Sequence, residues 1–85
     1  MTTRTQILLK RLLMALETRD GIPLVDTILH AEVGLNIDPP VRLTEFELLI
    51  GHADSHGWLR TITNQVTGKS KYAINDAGRN AILDL

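Results

Sequence analysis

The sequence has no cysteine. Disulfides and thiolate metal sites are therefore excluded, and an intracellular chain fits. Aromatic side chains are scarce: one Trp, one Tyr and one Phe. The core must then be built from aliphatic residues. The 85 residues are 44% hydrophobic, enough for one modest core and one domain over residues 1–85. Neither sign of charge dominates. Nine Lys and Arg against ten Asp and Glu leave a net charge of −1, so no global basic field draws the chain to nucleic acid. No hydrophobic run is long enough to span a membrane. The apolar run after Arg4 hints at a secretion signal, but Lys10 and Arg11 interrupt it early and no small-residue cleavage site is clear. A cytoplasmic location is the expectation. The chain shows neither an internal repeat nor a low-complexity linker.

Local signals divide the chain into elements. Thr3 and Gln6 fit a capping box, which predicts a helix to about residue 19, with Leu8, Leu9, Leu12, Leu13 and Leu16 on one face. Gly21 ends it. Ile22-Pro23-Leu24 reads as short and extended, because the residue before proline avoids helical geometry. A second helix is expected over about 25–33, with Leu24, Ile28 and Ala31 near one stripe and Gly34 as its C-terminal cap. A loop follows over 36–40. Thr44 and Glu47 form the clearest signal, a full capping box ahead of an apolar pattern. The helix it opens buries Phe46, Leu49, Ile50 and Ala53 and stops at Gly57. A strand over 58–63, a turn using Gly68 and a strand over about 70–75 make a hairpin. Asn75 caps a short last helix, with Ile82 and Leu83 facing inward.

Gly68-Lys69-Ser70 has the ending of a phosphate-binding loop. The first glycine of that motif would fall at position 63, where Thr63 stands. The motif also requires a helix straight after the loop, and the alternating residues that follow Ser70 read as a strand. The stretch is therefore a hairpin tip.

The order is helix, short strand, helix, helix, strand, strand, helix. It resembles the winged-helix family, a variant of the helix-turn-helix. The resemblance covers nearly the whole chain and is most specific over residues 56–83. Gly57, Trp58 and Leu59 match the close of the third helix. Tyr72, Ile74, Gly78 and Arg79 match the stretch that leads into the final helix, with Asn75 where Thr is usual. The resemblance implies an α+β domain: a three-helix core, a C-terminal β-hairpin wing and a short final helix. It makes the Gly68 hairpin a wing with Lys69 and Lys71 at or near its tip. Residues 34–43 depart from the tight turn of the usual motif, which leaves the docking angle of the third helix open.

The resemblance also implies DNA binding and transcription regulation, with the third helix in the major groove. The residues of that helix do not favour this. There is no Arg or Lys from Thr44 to Gly57, and three acids, Glu45, Glu47 and Asp54, lie on it. Affinity for DNA comes largely from neutralising phosphates, and base readout usually needs Arg, Lys, Asn or Gln. Glu45 and Glu47 also suit the positive end of a helix dipole without any role in binding. Candidate nucleic-acid contacts are therefore Arg42, Arg60, Lys69 and Lys71, in a weak, wing-led mode. Edge lysines that block strand aggregation explain the wing equally well.

Protein contact is the alternative. Leu48 lies on the exposed side of the third helix beside Gly51 and Ser55. A glycine inside a helix costs about 1 kcal/mol relative to alanine, and close approach of a partner helix is one reason to keep it. Packing of Gly51 on the domain's own loop is another. Ile7 and Met14 lie off the core face of the first helix, seven residues apart. They suggest a homodimer through that helix, with Lys10 and Arg11 at its rim, or simply a wider core. His52 and His56 share a helix face at ligand spacing, but two histidines are too few without a third ligand. His56 in the last turn also suits the helix dipole. His30 has no evident partner. Ser55, between Asp54 and His56, is adjacency in sequence rather than a triad. No catalytic residue, metal or cofactor is expected.

Overall fold

The computed structural model describes residues 2–85. Seven elements follow in the expected order: α1 (Thr3–Glu17), β1 (Leu24–Val25), α2 (Asp26–Val33), α3 (Leu43–Ser55), β2 (Leu59–Thr63), β3 (Ser70–Ile74) and α4 (Asp76–Asp84). Four helices and one three-stranded antiparallel sheet make an α+β fold compatible with a winged-helix-like arrangement.

α1 is the centre of the helical layer and packs on α2, α3, α4 and β3. Its five leucines, Leu8, Leu9, Leu12, Leu13 and Leu16, are at most 1% exposed. Each contributes about 1.5–3 kcal/mol of burial, and leucine loses little rotamer freedom in a helix. The cap is Thr2 rather than Thr3: the Thr2 hydroxyl accepts the Thr5 N–H at 3.1 Å. Two adjacent threonines offer the same group. The earlier start adds a backbone bond from Gln6 N–H to the Thr2 carbonyl, 3.0 Å. Asp20 and Gly21, at φ 52° and 81°, then turn the chain toward β1.

α2 turns Leu29 and Val33 inward, while Ile28 is 46% exposed and Ala31 is also exposed. The expected stripe through Leu24, Ile28 and Ala31 is wrong, because Leu24 belongs to β1 and does not set the phase of the helix. Gly34 is the C-cap as expected. Residues 34–43 are held down despite their length. The Arg11 guanidinium donates to the carbonyls of Val33 and Leu35, where the negative end of α2 favours a cation. Arg4 donates to the Pro39 carbonyl at 2.8 Å. His30 does have partners: its Nε2 lies 2.7 Å from the Val41 carbonyl oxygen, and its ring stacks on Phe46 at 4.8 Å.

α3 begins one residue before the expected start. Arg42 is its N-cap and no side chain caps it. Thr44 has already entered the first turn, so its hydroxyl no longer faces an unpaired amide, and the Thr44–Glu47 box is not formed. Phe46, Leu49 and Ala53 are buried and Ile50 is partly so, as expected. Gly57, at φ 71°, turns the chain into β2.

The sheet order is β1-β3-β2, with β3 central. Leu59 pairs with Ile74, Thr61 with Tyr72 and Thr63 with Ser70, while Leu24 of β1 pairs with Tyr72 from the other side. Side chains alternate along a strand, so these residues share a face. Leu24, Leu59 and Ile74 are buried there with the helical core and Tyr72 packs against it. In α4, Asn75 caps the helix by accepting the Gly78 N–H at 2.8 Å. Gly78 and Ala81 are buried and Ile82 is partly so, but Leu83 is 85% exposed, against expectation. The inward stripe runs 78, 81, 82 and 85, and Leu83 falls 100° beyond it. No helix of the described residues is long and apolar enough to cross a membrane.

Candidate nucleic-acid interface

The hairpin tip is organised by a side chain that the sequence reading passed over. The Asn64 carboxamide oxygen accepts the N–H groups of Val66 and Thr67, at 2.9 and 3.2 Å. Its backbone closes the loop: Gly68 N–H donates to the Asn64 carbonyl at 2.7 Å, and Asn64 N–H donates to the Lys69 carbonyl at 2.8 Å. An asparagine directly ahead of the turn, whose side chain reaches the backbone two residues on, is the available signal for such a loop. Gly68 has φ 72°, a conformation that side chains disfavour, as the hairpin reading required.

Strand register sorts the hairpin into two faces. Arg60 pairs with Ala73, Ile62 with Lys71, and Val25 of β1 also pairs with Lys71. Asn64 and Lys69 continue the same alternation. Arg60, Lys69 and Lys71 therefore share the outer face of the sheet with Ile62 and Val25. Among the described residues none of the three cations forms an ion pair. The face toward α3 carries Thr61, Thr63, Ser70 and Tyr72 instead, with the Thr63 and Ser70 hydroxyls 3.2 Å apart. Arg42 is exposed at the start of α3, in the helical layer, and does not join the sheet face.

The exposed side of α3 is apolar and acidic. Leu48 is 75% exposed. A Cβ on Gly51 would meet nothing within 4 Å, so this glycine does not pack on the domain's own loop. The Ser55 hydroxyl is turned back onto the His52 carbonyl at 2.9 Å. Of the three acids, Glu45 is engaged. Arg4 grips it with two bonds of 2.8 and 2.9 Å, and that pairing lowers its pKa. Glu47 and Asp54 remain exposed.

His52 and His56 lie with ring centres 4.5 Å apart, and His56 stacks on Trp58 at 4.7 Å. The buried Nε2 of His52 has no hydrogen-bond partner. Burial lowers the His52 pKa, and the neighbouring His56 adds to the effect. No group of three metal-ligating side chains occurs among the described residues. The pair packs the corner where α3 meets β2.

Gly78 explains part of the motif at the start of α4. A Cβ there would lie 2.1 Å from the Trp58 carbonyl oxygen and 2.7 Å from a carbon of Ile74. Only glycine lets the helix lie against the root of the wing. Arg79 is not a free cation. It donates to Glu17 at 2.9 Å and to Asp76 at 3.0 Å, tying α4 to α1. On the other flank, Ile7 and Met14 of α1 are 50% and 48% exposed. Met14 lines a shallow hollow with Leu35, itself 59% exposed.

A solved structure shares this arrangement, with a TM-score of 0.73 over 94% of this chain and 75% of its own, at 18% identity. It is a candidate transcriptional regulator from Thermoplasma acidophilum. At that identity the likeness is one of fold. No protein-family model and no curated protein sequence matches the chain.

Proposed function

We propose that this chain is a winged-helix regulatory module, not an enzyme, that contacts DNA mainly through its wing. The observation that carries the reading is the shared sheet face of Arg60, Lys69 and Lys71, three cations free of ion pairs among the described residues. The fold shared with a candidate transcriptional regulator supports the same role. The cations meet phosphates, which supply affinity without reading sequence. Arg42 adds a separate anchor at the start of α3. Because α3 offers no cation of its own, binding is weak and salt-sensitive. Changing Lys69 and Lys71 together to alanine reduces the slope of log affinity against log salt by about 2, one for each lost phosphate contact. Fluorescence anisotropy on a mixed-sequence duplex measures it. Binding that ignores this change but collapses on altering Leu48 or His52 would move the contact to α3 and refute the wing.

A protein partner at α3, with no DNA contact, is the second reading. It is favoured by Leu48 at 75% exposure beside the open space at Gly51. Self-association through α1 belongs to either reading and rests on the half-exposed Ile7 and Met14.

A further inference from the structure

The outer face of the wing is hollowed as well as charged. Val25, Ile62, Asn64, Thr67, Lys69 and Lys71 line a concavity of about 340 Å³. That is the low end of small-ligand sites, which run from about 300 to 1,000 Å³. Its aliphatic lining is Val25 and Ile62, which flank Lys71 on either side in one row of the sheet. The polar side chains of the lining lean to one sense. The Asn64 carboxamide oxygen is used by the N–H groups of Val66 and Thr67. The Thr67 hydroxyl oxygen takes the Lys69 N–H at 3.3 Å. No carboxylate lines the hollow. Asp26, next to Val25, is turned to the Thr27 N–H at 2.7 Å. The polar side chains thus present mainly donors: two ammonium groups, the Asn64 NH₂ and the Thr67 O–H. A bare anion would leave the aliphatic lining unused. A neutral apolar molecule would leave the ammonium groups without a partner. The complement is an apolar body with an anionic end.

We propose that this hollow binds a small amphipathic carboxylate, its aliphatic part on the row of Val25, the Lys71 stem and Ile62, and its carboxylate at the ammonium groups of Lys69 and Lys71. Resting on the wing-led reading above, the bound carboxylate occupies the lysines that phosphates would use, so ligand and DNA exclude each other. The module is then one whose DNA contact is released by a metabolite-sized acid.

Titration of the ¹⁵N-labelled chain with hexanoate tests the site. Saturable shifts are expected at the amides of Val25, Ile62, Thr67 and Lys71, with none from acetate or hexanol at equal concentration. Lys69→Ala and Lys71→Ala each weaken hexanoate by about tenfold, the loss expected of one charge-assisted hydrogen bond. Equal shifts from acetate would mean a charged surface only. Equal shifts from hexanol would mean an apolar surface only. Either result, or indifference to both lysine changes, overturns the site. A labelled duplex then tests exclusion. Its displacement by hexanoate supports competition, and undisturbed binding at saturating hexanoate overturns it. Hexanoate binding in a chain that binds no duplex would sink the DNA reading and leave the site standing.

Discussion

At the scale of single residues, the Thr2 hydroxyl and the Asn75 amide oxygen each accept an N–H from the first turn of a helix, and Thr44 does not. Thr2→Ala and Asn75→Ala should each cost about 1 kcal/mol. Thr44→Ala should stay within about 0.5 kcal/mol of the parent, as surface changes usually do. Urea midpoints of the three variants check this, and a Thr44 variant as damaged as the others would restore the capping box. Thr44-x-x-Glu47 is a sound local signal, yet α3 starts at Leu43 and leaves Thr44 inside its first turn. Arg4, 41 positions away, grips Glu45 and ties α1 to the first turn of α3. Nothing within one turn of Thr44 reports that contact. Leu83 failed for a related reason: its phase is set by the approach of Gly78 to Trp58, which no window around residue 83 contains.

At the scale of elements, the order and type of all seven were legible, because Gly21, Pro23, Gly34, Gly57, Gly68 and Asn75 punctuate the chain locally. The candidate contacts were legible as positions but not as a surface. Only pairing with β3 shows that Arg60, Lys69 and Lys71 face one way while Arg42 lies elsewhere. α1 poses its own test. Ile7 and Met14 are half in water, and burying each more fully would contribute roughly 1 kcal/mol. A two-fold pairing would cover both residues twice, and Leu35 extends the patch. Arg11, expected at the rim, is occupied by the Val33 and Leu35 carbonyls and stiffens that edge. Sedimentation should show a dimer at tens of micromolar and a monomer for Met14→Glu. A monomeric parent, or a dimer that tolerates the glutamate, would end the proposal.

His52, Glu45 and Tyr72 couple the whole molecule to pH. His52 is held below its ordinary 6.5 by burial and by His56. The unfolded chain takes that proton more readily than the folded one, so stability is complete above 6.5 and declines as pH falls below it. Glu45, held below 4.5 by Arg4, adds a second decline under 4.5. Burial raises Tyr72 above 10.0, so stability also declines in alkali beyond that value, where the unfolded chain ionises first. Urea midpoints should be level between these limits, and His52→Gln should remove the decline that begins at 6.5. An unchanged decline in that variant would assign it to another group. The wing has its own division. Lys71 sits where β3 is bonded on both sides, to β1 and to β2, whereas the tip beyond it is held by β2 alone. The boundary runs between the two lysines: Lys71 stands in the row paired on both sides, and Lys69 stands in the loop that Asn64 closes.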